Sequence, residues 1–314
     1  MDMKKATRIF VVTVLVIVFV FSSISAAFAI STADAKEKID PAKKASLTLT
    51  YAAEGKKLEG LEVEAFLAAS VTADFHYSMT GAFADYPIEV NAIKTQDEWN
   101  EVRDTVGAYI AADKIAPTAK KTTDAQGVVK FDDLAVGIYY VRWTGNVTAD
   151  QVSGFAPFLI AVPGLGEDGL WIYDVNALPK PGSLPEPESE EMTLVKLWRD
   201  ENNTSNRPAA ISVDIFRNGE LFQNIQLNAG NNWAYTWETD GSYTWTAVER
   251  NVPSGYTVAV QNTDGSTIQI TNTLAGDPEH TGDSSDWQLW LIVMAVSGIA
   301  LILLGISRKK THED

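Results

Sequence analysis

Cysteine is absent from all 314 residues, so disulfides contribute nothing to stability and no thiol nucleophile is available. Histidine is scarce: His76, His280 and His312 leave few catalytic constellations, and the last two fall close to the C-terminal end. No Gly-x-Ser-x-Gly, phosphate loop or zinc-ligand spacing occurs, so no metal or cofactor is expected. A hydrolase built on carboxylates alone stays open by composition, with no motif pointing to it; the expectation is a non-enzyme. Basic residues are also few. The 25 lysines and arginines face 41 acids for a formal charge of −16, which argues against a nucleic-acid partner and suits a solvated surface.

Long apolar runs occur only at the two ends. Lys4, Lys5 and Arg8 precede the apolar stretch Ile9 to Phe21, and Ala27-Phe28-Ala29 has small-x-small spacing, so residues 1–29 read as a secretory signal peptide. Leu289 to Ile306 carries no charge and is long enough to cross a bilayer as a helix. Trp287 and Trp290 flank it on one side and Arg308-Lys309-Lys310 on the other, which predicts a single-pass helix over 287–307 with a cytoplasmic tail, 308–314. The chain between them is then expected on the outer face of the plasma membrane. An exported protein of this size without a disulfide must find its stability elsewhere.

Prolines mark the joint. The stretch Leu178-Pro179-Lys180-Pro181-Gly182-Ser183-Leu184-Pro185-Glu186-Pro187 and the acidic residues after it read as an extended linker, 179–191. It separates a domain over 46–178, preceded by a short linker at 30–45, from one over 192–274, which a polar stalk at 275–286 follows. Both are predicted all-β. In the second, Ala210 to Arg217 alternates, Asn218-Gly219 is a hairpin turn, and short strands follow to Thr273, a spacing that suits a β-sandwich. In the first, strands are expected at Ser46–Tyr51, Leu61–Leu67, Val128–Phe131, Gly137–Trp143, Phe155–Val162 and Leu170–Ala177. One inserted helix begins at the capping box Thr95-Gln96-Asp97-Glu98, with Trp99, Val102, Val106 and Ile110 on one face, a stripe suited to docking on a sheet.

Three polar residues of the second domain fall where strand alternation places apolar ones. Lys196 shares a face with Leu194 and Trp198, Glu249 with Trp245 and Ala247, and Asn272 with Ile268 and Ile270. Buried separately they are costly; buried together they can react. Desolvation lowers the lysine pKa and raises that of the glutamate, leaving a neutral amine as nucleophile and a neutral carboxyl as proton carrier. Attack on the asparagine carboxamide then yields a Lys–Asn amide and ammonia in one turnover. The alternative is structural: Lys196 snorkels at a sheet edge, Glu249 pairs with Arg250 or Lys196, and Asn272 caps a turn.

The segments Thr193 to Asn203, Val213 to Gly219, Asn232 to Trp237, Tyr243 to Glu249, Pro253 to Tyr256 and Ile270 to Thr273 together resemble a collagen-adhesin B-type (Cna-B) repeat domain across the whole second domain. That resemblance implies an Ig-like sandwich with an internal isopeptide bond formed by Lys196, Glu249 and Asn272. The first domain, through Asp124 to Val141, Ala156 to Pro163 and Trp171 to Asn176, resembles the same superfamily in the style of Gram-positive pilin subunits. There Thr50 stands near the expected lysine and Arg142 or Trp143 near the expected acid, so no crosslink is predicted.

Pilin-like proteins carry a Leu-Pro-x-Thr-Gly sorting motif, and Asp277-Pro278-Glu279-His280-Thr281-Gly282 is similar to it without the leucine. Thr281 and Gly282 are the corresponding sortase positions, which would lead to peptidoglycan and the cell wall; retention by the membrane helix is the other outcome. Lys180 falls where pilins place the lysine that accepts the next subunit, or is a solvated linker lysine. The functional expectation is a structural or adhesive surface protein whose partners are other subunits or a host or extracellular ligand. The alternative is a glycan- or protein-binding module using Tyr139, Tyr140 and Trp143.

Overall fold

The computed structural model describes residues 35–53, 55–144, 155–180, 191–239, 243–263 and 265–275. The expected signal peptide, the transmembrane helix, Thr281 and Gly282 lie outside the described residues, as do 181–190 of the linker. Among the described residues no helix is long and apolar enough to cross a membrane.

The first domain contains β1 (Ala45–Thr50), β2 (Ala52–Ala53), β3 (Lys56–Lys57), β4 (Glu62–Val71), β5 (Tyr77–Met79), helix α1 (Gln96–Ala112), β6 (Ala119–Thr122), β7 (Val128–Leu134), β8 (Gly137–Thr144), β9 (Phe158–Val162), β10 (Gly164–Leu165), β11 (Trp171–Ile172) and β12 (Asp174–Ala177). One sheet runs β12-β1-β7; the other runs β5-β4-β8-β9, with β6 also paired to β4. Leu47, Leu49 and Phe131 meet Val63, Ala65, Tyr139 and Val141 in the core between them. The opposite face of β8, with Ile138 and Tyr140, joins a second core that includes α1. A strand buried on both faces loses its period-two pattern, which is why Gly137 to Val141 reads as an apolar run.

The expected strand at Leu170–Ala177 is split at Tyr173. Its first part pairs with β10, whereas its second part runs parallel to β1, so the two halves serve different sheets. Strand β6 escapes sequence reading because Lys120 and Lys121 interrupt any apolar period. They suit an exposed edge, where Lys120 Nζ lies 2.6 Å from Glu62 and 3.3 Å from Glu64.

The second domain contains β13 (Glu191–Arg199), β14 (Ala210–Arg217), β15 (Glu220–Asn228), β16 (Ala234–Glu238), β17 (Trp245–Glu249), β18 (Tyr256–Asn262) and β19 (Thr267–Leu274). They form two facing sheets, β16-β13-β19-β18 and β15-β14-β17. Asn218 and Gly219 have φ of 51° and 77°, the left-handed pair that a tight hairpin between right-twisted strands requires. In both domains the first strand lies parallel to the last, β1 with β12 and β13 with β19. Chain ends far apart in sequence thus become neighbours in one sheet.

Helix α1 starts as its sequence dictates. Thr95 Oγ1 accepts from the Glu98 N–H at 3.2 Å, and the Glu98 carboxylate accepts from the Thr95 N–H at 2.8 Å. The helix docks on a sheet as its stripe suggests, but its contact with the second domain was not foreseen. One side faces β8, where Gly107 allows close approach: a Cβ there would lie 2.8 Å from the Tyr140 hydroxyl. The other packs on β17 and β18, so the helix of the first domain lies along the second. Val102, Val106, Tyr109 and Ile110 share a single apolar core with Val213, Val248, Val258 and Val260. Truncating Ile110→Ala should therefore cost about 2–5 kcal/mol, the range for a buried large-to-small change. Denaturant melts followed by fluorescence should show the second domain's tryptophans reporting the loss.

Candidate functional site

Lys196 is carried by the central strand β13, Asn272 by its parallel neighbour β19, and Glu249 by the last position of β17 in the facing sheet. In the β13–β19 register Lys196 lies opposite Ile270 and Trp198 opposite Asn272, so the lysine and asparagine stand one pleat apart on adjoining strands. Across the second sheet Glu249 pairs with Val213. All three side chains reach the interior, with residue exposures of 2%, 1% and 0% in the order Lys196, Glu249, Asn272.

Glu249 stands between the other two. Its Oε2 is 3.9 Å from Lys196 Nζ, and its Oε1 accepts from Asn272 Nδ2 at 3.0 Å. Lys196 Nζ also donates to the Leu197 carbonyl at 2.7 Å and lies 4.0 Å from the centroid of the Trp198 ring. Within the trio, the buried atoms Glu249 Oε2 and Asn272 Oδ1 have no hydrogen-bond partner. Unpaired buried acceptors are uncommon in native cores. Burial pulls the lysine down to about 7, partly opposed by the Glu249 charge. Burial likewise pushes the Glu249 carboxyl up, with Lys196 and the Asn272 hydrogen bond acting in the other direction. Desolvation thus favours a neutral amine beside a neutral acid.

The structural alternative fits in one part, since Glu249 does lie within ion-pair distance of Lys196, but not in the others. Lys196 does not reach an edge, Asn272 caps no turn, and Arg250 turns away from Glu249 to contact Asp113 and Asp214 at 2.7 and 2.6 Å. A second polar group beside the site went unnoticed in the sequence. Asp200, fully buried, receives Arg207 in a bidentate pair at 2.8 and 2.6 Å and a hydrogen bond from Tyr256 at 2.9 Å. Trp198 packs edge-to-face on Trp233 and Tyr256, which walls off the lysine. The Asp-Glu-Asn-Asn run after β13 looks like a solvated turn, and only Arg207, seven residues on, hints that one acid folds inward.

In the first domain the corresponding positions hold no such trio. Thr50 pairs in register with Val128, and Arg142 bonds Glu64 at 2.8 Å. Asn176, exposed, lies opposite Thr48, and Lys180 is exposed beyond β12. Tyr139 and Tyr140 are core residues, and the indole N–H of Trp143 donates to the Phe155 carbonyl, so the aromatics proposed for glycan contact are committed to packing. Among the described residues no cluster of potential metal ligands occurs.

Residues 192–273 match the Cna protein B-type domain family. The boundaries coincide with β13 to β19, so the family match and the sandwich describe the same unit. The collagen adhesin of Staphylococcus aureus is 31% identical over 112 residues, covering 33% of this chain and 9% of that protein. The chain thus spans less than a tenth of this relative's length. Among solved structures, a single B repeat unit of the collagen-binding surface protein Cna of Staphylococcus aureus is 17% identical, covering 74% of this chain and all of that one at a TM-score of 0.25. The full-length major pilin SpaD from Corynebacterium diphtheriae is 13% identical, covering 75% and 99% at a TM-score of 0.29.

Replacing Arg207→Ala should leave the enclosed Asp200 carboxylate without its cation and destabilise the second domain by about 3–5 kcal/mol. The Arg207 hydrogen bonds hold Asp200 below the ordinary carboxylate value. Its stabilising contribution is full above that ordinary value of about 3.9 and is lost as pH falls through the lower folded value. Acid melts of the wild type and the variant should therefore converge.

Proposed function

We propose that this chain is a structural, adhesin- or pilin-like cell-surface protein whose second domain closes itself with a Lys196–Asn272 isopeptide bond. The observation that carries the reading is a lysine and an asparagine on adjoining strands, both enclosed and both served by one buried carboxyl. The match of residues 192–273 to the Cna protein B-type domain and the collagen-adhesin relative support a surface role.

The chemistry needs no outside reagent. A half-turn of the Asn272 side-chain amide exchanges Nδ2 for Oδ1, so the 3.0 Å contact becomes a hydrogen bond donated by neutral Glu249 to the carbonyl oxygen. That donor stabilises the charge that develops as the lysine lone pair attacks Cγ. The new Nζ–Cγ bond forms, a proton from the amine passes through Glu249 to Nδ2, and the Cγ–Nδ2 bond breaks. Ammonia leaves and Glu249 ends as it began. Enforced proximity compensates for a poor leaving group.

The bond would join the first strand of the domain to the last. A closed loop on the order of 75 residues stabilises by about 4–5 kcal/mol in the chain-entropy description. Tension applied at the two ends would load a covalent bridge rather than the sandwich hydrogen bonds, which suits a stalk. The first domain, without a crosslinking trio, is the distal part available for contact. Export, retention by a C-terminal helix and attachment at Thr281 belong to the same reading, as does subunit joining at the exposed Lys180.

Mass spectrometry of the full chain tests it. Wild type should be lighter than its polypeptide by one ammonia, with Lys196 and Asn272 peptides joined, whereas Lys196→Ala and Glu249→Ala should keep the full mass. An unbridged wild type would overturn the proposal. Because Lys196 sits at about 7, crosslinking of freshly made chains should slow as pH drops below that value and the amine gains a proton. It should slow again at high pH, once Glu249 loses the proton it must donate, producing a bell-shaped rate profile.

A further inference from the structure

A sandwich has open sides, and here one of them is closed by the other domain. β17 and β18 are the terminal strands of their respective sheets, and α1 packs along both. The outward N–H groups of β18 would otherwise face water or a stray strand. Instead the Val258 N–H donates to the Pro87 carbonyl at 2.8 Å, and the Val260 N–H donates to Thr105 Oγ1 at 2.6 Å. Thr105 is wholly buried and directs its own proton back to the Glu101 carbonyl at 2.6 Å, so its oxygen is oriented to accept.

These contacts fall on the rungs that carry the site. Val258 pairs with Asn272, and Val260 pairs with Ile270, which in turn pairs with Lys196. The third member is held from the same helix. The Tyr109 hydroxyl lies 3.5 Å from the Glu249 carbonyl oxygen. The next residue, Arg250, spans from Asp113 at the end of α1 to Asp214 on β14. Nearer the start of the helix, Glu101 lies 3.5 Å from Arg199, the last residue of the lysine strand β13.

We propose that Thr105 and Tyr109 are positioning residues for the isopeptide reaction, and that docking of the first domain sets the strand spacing at which Lys196 can reach Asn272. This rests on the crosslinking reading above and deepens it. The first domain then acts as an intramolecular template: the bridge closes after α1 has seated, which would lock the two domains in their docked arrangement.

The test uses full-length chains made in a short cell-free pulse, with loss of ammonia followed by mass during a chase. Thr105→Val keeps the shape and removes the acceptor. It should slow bridging by about ten- to a hundredfold, the scale of a small misplacement in a preorganised site. Thr105→Ser restores the acceptor and should restore the rate. Tyr109→Phe, which removes only a hydroxyl, should slow bridging several-fold, and the pH midpoints of the profile should stay where they are in wild type. A lost rate with unmoved midpoints marks positioning rather than altered acidity. Wild-type rates in Thr105→Val and Tyr109→Phe, or equal slowing by Thr105→Ser and Thr105→Val, would overturn the positioning role while leaving the bridge intact. A wild-type chain that keeps its ammonia would instead refute the bridge itself.

Discussion

Everything distinctive about this protein depends on taking an ammonium and a carboxylate out of water. Moving either ion alone into an apolar interior is prohibitive, and an ion pair recovers only part of the cost. The cheaper solution is for both to become neutral, which is the direction burial drives Lys196 and Glu249. A neutral lysine is a nucleophile. The same desolvation that threatens the fold therefore supplies the reactivity that can relieve it, because an amide is far less costly to bury than a charge.

The architecture around the trio serves that enclosure. Parallel pairing of β13 with β19 sets the lysine and asparagine one pleat apart, and the facing sheet delivers the acid. Trp198 and its aromatic neighbours cover the lysine, while Asp200 and Arg207 satisfy one another beside it. Helix α1, anchored in the preceding domain, closes the remaining flank and takes up the free edge of β18. The buried trio is thus flanked by elements from both parts of the chain.

Much of this was legible in the residues. The capping box located the start of α1, Asn218-Gly219 located a hairpin, and polar residues on apolar strand faces singled out Lys196, Glu249 and Asn272. Local chemistry decides each of these: a cap, a left-handed turn, a periodicity of two. Other elements were hidden because long-range partners define them. Strand β6 is a lysine-bearing edge whose partner residues on β4, among them Glu62 and Glu64, lie more than fifty residues earlier in the chain. Asp200 looked solvated because its arginine comes seven residues later and its tyrosine lies on β18.

The amino-acid sequence by itself determined the predominance of strands and the inward facing of Lys196, Glu249 and Asn272, since these follow from strand alternation. The tertiary structure alone decided what α1 touches. Its apolar stripe specifies that the helix must dock but not where, because an amphipathic face is satisfied by any complementary apolar surface. Choosing the seam between β17 and β18 took the particular match of Thr105 to an unpaired strand N–H and of Asp113 to Arg250. Those groups meet only after the chain between them has folded.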